Sequence, residues 1–116
     1  MKVLTTQEKR KISKVTSSLC VKLTNEGNPD FRQYAPIAPD FIKPAKTLTE
    51  ASDLCLAYIA EWDLGGGNWT GGDVYHPTKG KIASISYNGA VWKGDYFDDN
   101  AEKYPEAELT KTWEEL

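Results

Sequence analysis

The sequence feature that most constrains the fold is the pair Asn88-Gly89, which separates two runs of β-forming residues. Asparagine and glycine both tolerate the positive φ angles of a type I′ turn, so the pair predicts a β-hairpin with a two-residue loop. A loop of that length also predicts the register of the two strands, with Ile85 opposite Trp92.

A further strand is predicted upstream of this hairpin. Glycines at 65–67 and 71–72 flank Trp69, and residues 73–76 (Asp-Val-Tyr-His) favour an extended chain. Residues 77–80 (Pro-Thr-Lys-Gly) have the composition of a turn. We therefore expect a three-stranded antiparallel meander, with strands at 69–76, 81–87 and 90–97.

The clearest helix signal follows Thr47. Thr47 and Glu50 form a capping box, in which the two side chains satisfy the first backbone N–H groups of a helix. Gly65 is a natural helix stop, because glycine readily adopts the left-handed conformation that ends helices. Between them an apolar stripe recurs at helical spacing, formed by Ala51, Leu54, Cys55, Tyr58, Ile59 and Trp62.

A similar capping box at Thr5 and Glu8 predicts a first helix, which Gly27 would close. Residues 19–23 also alternate as a strand does, and that alternative stays open. The apolar face of the predicted helix would be formed by Ile12, Val15, Leu19, Cys20 and Leu23.

The segment between these helices, residues 28–46, is predicted to be irregular. It holds four prolines, which remove backbone donors and disfavour helix before them. The simplest interpretation is a long loop pinned across the surface, and loops of this kind are often functional. A packed connection, or a short strand around Phe41, is the alternative. The apolar side chains that need cover are Phe31, Tyr34, Ile37, Phe41 and Ile42.

The C-terminal region is acidic and is predicted to end in a short helix. Pro105 suits a first helical turn, and Leu109, Trp113 and Leu116 follow at i, i+4 and i+7. A chain of 116 residues is long enough for one domain. The predicted fold is a single compact α+β domain, residues 1–116, with two N-terminal helices, the meander and this last helix.

Charge is divided unevenly along the chain, although the formal net charge is only −3. Residues 1–46 hold nine Lys or Arg against four Asp or Glu, a balance of +5, and residues 47–116 hold five against thirteen, a balance of −8. This division fits attraction within the chain, head-to-tail self-association, an acidic surface that meets a basic protein, or two solvated faces without a partner. A pI near 5.1 argues against nucleic acid as the partner.

Catalytic and metal-binding motifs are absent from the sequence. CxxC, HExxH and GxSxG do not occur, and His76 is the only histidine. Cys20 and Cys55 fall on apolar stripes and are predicted to be buried free thiols rather than a disulfide or a nucleophile paired with His76. We expect a non-enzymatic protein without cofactor or metal; an enzyme that uses His76 is the third hypothesis.

The expected location is the cytoplasm. No run approaches the roughly 20 apolar residues of a membrane span. The N-terminal sequence MKVLTTQEKRKISK lacks the apolar core of a signal peptide.

The expected working surface combines the Gly/Trp loop, residues 65–73, with the acidic C-terminal region. Trp69 lies among glycine and polar residues, where tryptophan supplies a large contact area. The leading hypothesis is a small binding or inhibitory module that meets a protein partner, or a second copy of itself, through this surface. The expected site residues are Trp69, Asp73, Tyr75, His76, Tyr87, Trp92, Asp98 and Asp99.

The alternative hypothesis is a small-molecule-binding protein. Its pocket would be lined by Trp69, Tyr75, Tyr87 and Trp92 if the apolar face of the sheet is not fully covered. Ordinary core packing is the competing interpretation for each of these aromatic residues.

Two segments, residues 66–75 and 85–92, resemble segments of small orphan accessory proteins carried on bacterial mobile elements such as integron gene cassettes. The resemblance rests on turn and sheet residues. It implies a small bacterial accessory protein and assigns no catalytic or binding residue.

Overall fold

The computed structural model describes residues 18–116, which form a six-stranded antiparallel sheet with one α-helix packed against it. The described fold is mostly β, so the prediction of an α+β domain with two N-terminal helices and a three-stranded meander is wrong. The elements are β1 (Leu19–Asn25), β2 (Phe41–Ala45), α1 (Leu48–Glu61), β3 (Trp69–His76), β4 (Gly80–Ile85), β5 (Val91–Lys93) and β6 (Glu102–Lys103). The strand order is β2-β1-β3-β4-β5-β6, so β2 and β6 are the sheet edges.

The largest departure from prediction is β1, where the sequence indicated the end of a first helix. All seven residues of β1 are buried, and the strand pairs with β2 on one side and β3 on the other. Leu19, Val21 and Leu23 join the core beneath α1, and the alternate residues are buried on the opposite face. The alternative of a strand at residues 19–23 is therefore confirmed. A strand buried on both faces carries apolar residues on both, so its apolar spacing also suits a helix. The rest of the predicted helix, residues 5–17, lies outside the described residues.

The helix α1 begins where the sequence predicts. Thr47 Oγ1 accepts a hydrogen bond from Glu50 N–H at 3.1 Å, and this confirms the N-terminal cap. The helix ends at Glu61, before the predicted glycine stop, and Asp63 just after it has a left-handed φ of 50°. Leu64 N–H then donates to Ile59 O at 2.9 Å. An aspartate therefore closes the Schellman motif that was expected of a glycine.

The predicted hairpin is formed by β4 and β5, but its register differs by one residue. Ile85 lies opposite Val91 rather than opposite Trp92. The loop holds three residues, 87–89, and among them only Gly89 has a positive φ, 85°. A three-residue loop, formed by a turn and a following glycine with left-handed φ, also suits the sequence Asn-Gly. The pair therefore does not by itself specify a two-residue loop. The shift of one residue turns Trp92 away from the core and places Val91 there.

Two other strands match an expectation. The first predicted strand of the meander, 69–76, is confirmed by β3, and residues 77–79 form the expected turn before Gly80. The alternative of a short strand around Phe41 is confirmed by β2. The predicted strand at 90–97 is shorter, because β5 ends at Lys93, and the pairing of β6 with it was not predicted.

The predicted C-terminal helix is wrong. The structure has a short 3-10 turn at Glu106–Glu108, followed by turns. Leu109 O accepts Thr49 N–H at 3.0 Å, and Trp113 O is hydrogen-bonded to His76 at 2.7 Å. Because these carbonyl groups bond to other elements, they are not available for a regular helical ladder. Leu109, Trp113 and Leu116 still pack against the core.

The sheet has two different faces. One face packs against α1 and, together with the helix, forms the hydrophobic core. Registered pairs connect all six strands across the opposite face. This row runs through Ile42, Lys22, Asp73, Ser84, Trp92 and Lys103.

Candidate functional site

Trp69 is buried, contrary to the expectation of an exposed contact. Its side chain is 5% exposed, and the indole N–H donates a hydrogen bond to Ile85 O at 2.9 Å. A Cβ atom on Gly72 would collide with Cys55 Sγ and would lie 3.3 Å from Trp69 Cζ2. Gly72 therefore lets α1 and the indole pack closely against the sheet.

The four aromatic side chains expected to form a ligand pocket are not brought together. Trp69 lies in the core beneath α1, whereas Tyr75 and Trp92 belong to rows on the opposite face. Tyr87 lies in the hairpin loop, where its hydroxyl donates to Leu64 O at 2.9 Å. These four residues therefore lie in three different places and do not line one pocket.

His76 holds the C-terminal segment, residues 109–116, in place. Its Nδ1 accepts the N–H groups of Thr78 (3.1 Å) and Lys79 (3.2 Å), which assigns the ring proton to Nε2. Nε2–H donates to Trp113 O at 2.7 Å, and the centroids of the two rings lie 5.8 Å apart, edge to face. The side chain is 5% exposed and both ring nitrogens are occupied, so neither is free to act as a base.

Asp73 belongs to a charged cluster on the face opposite α1. Lys81 Nζ lies 3.0 Å from Asp73 Oδ1 and also pairs with Asp95. Burial works against the charge of Lys81, but hydrogen bonds with Asp95 and Asp73 outweigh it and raise the pKa of the ammonium. The cluster ties the segment after β5 to the sheet.

Asp98 and Asp99 lie in that segment, within residues 94–101, which we call the acidic loop. Both aspartates are exposed, and Phe97 beside them is 68% exposed. The acidic loop therefore presents an aromatic ring next to two carboxylates.

The acidic loop is anchored at Tyr96. Its N–H donates to Ser84 Oγ at 2.8 Å, and its ring lies against Gly71. Burial and the charge of Asp73 raise the pKa of Tyr96, and the charge of Glu26 raises it further. Glu26 is the first residue after β1, so a charge in the segment that connects β1 to β2 acts on the anchor of the acidic loop.

That connecting segment, residues 26–40, is here called the aromatic loop. It carries the two most exposed large apolar side chains among the described residues, Tyr34 at 82% and Phe31 at 74%, and Ile37 is 39% exposed. Ala38 is the only buried residue of the loop. The loop is therefore not held in place by burying its own apolar side chains.

Buried polar groups hold one half of the aromatic loop. Asn25, 6% exposed, accepts the N–H groups of Ile37 (2.6 Å) and Ala38 (3.1 Å) through Oδ1. Its Nδ2 donates to Ala38 O at 2.8 Å and to the Tyr58 hydroxyl at 2.7 Å. Tyr58 in turn donates to Pro39 O at 2.9 Å. This network connects the end of β1 and α1 to the loop backbone.

A second asparagine holds the other half. Asn68, 7% exposed, donates through Nδ2 to Glu26 O and Gln33 Oε1, both at 2.9 Å. Its Oδ1 accepts Gly65 N–H at 2.9 Å, and the neighbouring Gly67 lies against the Asn28 side chain. The glycine-rich segment before β3 therefore braces the aromatic loop and does not present a contact of its own.

Sequence reasoning missed Phe31 and Tyr34 as candidate contacts, because it placed them among the side chains that need cover. The available signal was their position between prolines in a segment with few apolar neighbours. Asn25 and Asn68 hold the loop and leave the rings of Phe31 and Tyr34 exposed. The burial of these two asparagines depends on contacts between residues that are far apart in the sequence.

Neither cysteine of this chain has an exposed thiol. Cys20 and Cys55 are buried and free, and burial raises the pKa of Cys20 to about 11 and that of Cys55 to about 12. Residues 18–116 contain no group of three or more His, Cys, Asp or Glu placed to hold a metal ion. In the same residues no helix combines the length and apolar character needed to cross a bilayer.

Comparisons with protein-family models, curated proteins and solved structures found no match to this chain.

Proposed function

We propose that this protein is a non-enzymatic binding or inhibitory module that contacts a protein partner mainly through the aromatic loop. The observation that carries the proposal is the exposure of Phe31 and Tyr34 in a loop whose backbone is bonded to buried Asn25 at Ile37 and Ala38 and to buried Asn68 at Glu26. Large exposed apolar side chains mark interaction surfaces. A loop that is already ordered loses little conformational entropy on binding, which favours affinity.

The acidic loop supports a partner with a basic rim. The described residues hold nine Lys or Arg against sixteen Asp or Glu, so this part of the molecule has a balance of −7. Phe97, Asp98 and Asp99 are exposed on the acidic loop and would form its part of the contact. Complementary charge of this kind mainly accelerates association and selects the partner.

A cytoplasmic location is part of the proposal. Buried free thiols fit a reducing compartment, where disulfides are rare. The resemblance to accessory proteins of bacterial mobile elements remains a prediction, and it is compatible with a small inhibitory module.

The test replaces Phe31 and Tyr34 together by alanine. A partner is first isolated from host extract with the unmodified protein, then purified, and its Kd is measured for each variant. We expect the double variant to unfold at the same denaturant concentration and to bind at least about thirtyfold more weakly, the cost of losing one contact of about 2 kcal/mol.

The matched control is Leu56→Ala, because Leu56 is 40% exposed on α1, away from the aromatic loop. It should leave the Kd within about twofold. Equal Kd values for the unmodified protein and the double variant, or failure to isolate any partner whose binding needs Phe31 and Tyr34, would contradict the proposal.

A further inference from the structure

We infer that a cavity beside α1, separate from the aromatic loop, binds a small organic ammonium ligand. The cavity has a volume of ≈ 240 Å³ and lies where α1 meets the β4–β5 loop, the chain after β5 and the C-terminal segment. This volume is below the range of about 300–1,000 Å³ usual for drug-sized ligands, so only a small molecule fits.

The walls of the cavity are fixed by hydrogen bonds between elements. Ser52 Oγ–H donates to Gly89 O at 2.7 Å, which joins α1 to the hairpin loop. The hydroxyl and backbone N–H of Thr49 both donate to Leu109 O at 3.0 Å, which joins α1 to the C-terminal segment. The cavity is therefore preformed, and a ligand does not have to order its walls.

Apart from Lys103, whose ammonium group lies over the Trp92 ring, the wall side chains that could donate hydrogen bonds are already engaged. The Ser52 and Thr49 hydroxyls are used as described, and Tyr104 donates through its hydroxyl to Ile82 O (2.7 Å) and through its N–H to Val91 O (3.0 Å). Carbonyl oxygens have two lone pairs and hydroxyl oxygens can accept as well as donate, so acceptor capacity remains on these walls. The cavity therefore suits a ligand group that is rich in donors.

Two charged residues line the cavity, Asp53 and Lys103. Lys103 pairs in register with Trp92 on the face opposite α1, and its Nζ lies 5.2 Å from the centroid of the Trp92 ring, which does not line the cavity, so the ammonium group is directed away from the cavity. Asp53 on α1 is exposed and lines the cavity, and it forms no ion pair within residues 18–116. An ammonium group supplies both the positive charge and the donors that this arrangement lacks.

The other walls are apolar. Ala90, Val91 and Leu109 lie along the cavity together with Tyr104. These side chains suit the hydrocarbon part of a small amine, while the charged end meets Asp53 and the free acceptors. The ligand class is thus a primary amine with a short aliphatic or aromatic body.

Benzylammonium chloride is the probe for this site. We expect it to cause saturable chemical-shift changes at the backbone amides of Gly89, Ala90 and Val91 in NMR titrations. Benzoate, which has the same ring and the opposite charge, should cause none. Absence of saturable changes with benzylammonium, or equal changes with benzoate, would overturn the inference.

Asp53→Asn removes the carboxylate from an exposed helix position, so the fold should be retained. We expect benzylammonium to bind at least about tenfold more weakly to this variant, because a charge-assisted hydrogen bond is lost. Asp98→Asn is the matched control: it removes the same charge from the acidic loop and should leave the affinity unchanged. Equal weakening by both variants would show that the affinity for benzylammonium depends only on net charge, and it would overturn the inference of a site at the cavity. A second variant, Ala90→Leu, fills the cavity and should abolish binding while the circular dichroism spectrum is retained.

Discussion

At the residue scale, this fold depends on two kinds of position. At the first kind any side chain would obstruct packing, and at the second a buried polar group orders the chain where few apolar side chains cover it. Gly72 is the first kind, since Cys55 Sγ occupies the space that a Cβ would need. Asn25 is the second kind, since its buried amide makes three hydrogen bonds with backbone that has little apolar cover and a fourth with the Tyr58 hydroxyl. Both residues couple β-strands to elements distant in sequence, which local sequence patterns do not report.

Gly72→Ala tests the close packing of α1 on β3. We expect the free energy of unfolding to fall by about 1–3 kcal/mol, because overpacking displaces Cys55 and the Trp69 indole. Urea unfolding monitored by tryptophan fluorescence measures the change. Adding Cys55→Ala should recover part of the loss, since it removes the obstructing sulfur.

Gly66→Ala is the control for this prediction, because only Tyr87 Cδ1, at 3.9 Å, would come near its new Cβ. It should change stability by less than about 0.5 kcal/mol. If the Gly72 and Gly66 variants unfold alike, the close approach does not constrain the packing.

At the element scale, the sequence predicted those elements whose signals are local. The start of α1 follows from Thr47 and Glu50, which lie three residues apart and need no other part of the chain. β1 was predicted only as the alternative to a helix, because its identity depends on pairing with β2 and β3, and the same spacing of apolar residues suits a helix.

The hairpin shows where a local signal stops being sufficient. Asn88-Gly89 predicts a reversal of the chain but is compatible with two loop lengths. The three-residue loop brings Gly89 O within 2.7 Å of Ser52 Oγ on α1. Its length is therefore matched to a helix that lies far away in sequence, and the predicted register was wrong by one residue.

The candidate site was predicted only in part, for the same reason. Asp98 and Asp99 are exposed as expected, because a run of charged residues is a local property. Trp69 was expected to be exposed from its polar and glycine neighbours, but α1 and Ile85 cover it. The exposure of Phe31 and Tyr34 depends on Asn25 and Asn68, whose partners are distant in the chain.

The C-terminal segment, residues 109–116, provides the test at this scale. His76→Ala removes the hydrogen bond to Trp113 O and the edge-to-face contact between the rings. We expect faster amide hydrogen exchange in residues 109–116, and a loss of about 1–3 kcal/mol in stability, because the carbonyl group and two backbone N–H groups lose their partner.

Thr78→Ala is the matched control, because it removes one hydroxyl near His76 Nδ1 and keeps the backbone N–H groups that bond to the ring. Its exchange pattern should resemble that of the unmodified protein. Unchanged exchange in the His76 variant would show that other contacts hold the segment.

At the scale of the whole molecule, the two thiols link stability to pH. Their pKa values rise from 9.0 to about 11 for Cys20 and about 12 for Cys55, in both cases chiefly because burial disfavours the thiolate. Above pH 9 the unfolded chain loses these protons before the folded protein does. Ionisation therefore favours the unfolded state, and stability falls as pH rises from 9 through the folded pKa values.

We expect the urea midpoint to be lower at pH 10 than at pH 8, and the drop to be smaller in a Cys20→Ala/Cys55→Ala variant. At pH 8 both thiols should react with a disulfide reagent only after urea unfolds the protein. Equal midpoint shifts in the two proteins, or rapid labelling of the folded protein, would contradict the burial of the thiols.

The edge strand β2 affects whether copies of the protein associate at high concentration. Its sequence, Phe-Ile-Lys-Pro-Ala, places a lysine and a proline along one margin of the sheet. Proline is tolerated in such a strand where its missing N–H faces outward, and the resulting gap interrupts the ladder that an incoming strand would need. This interruption disfavours the stacking of copies into cross-β polymers, although the exposed rings of Phe31 and Tyr34 lie in the loop before β2.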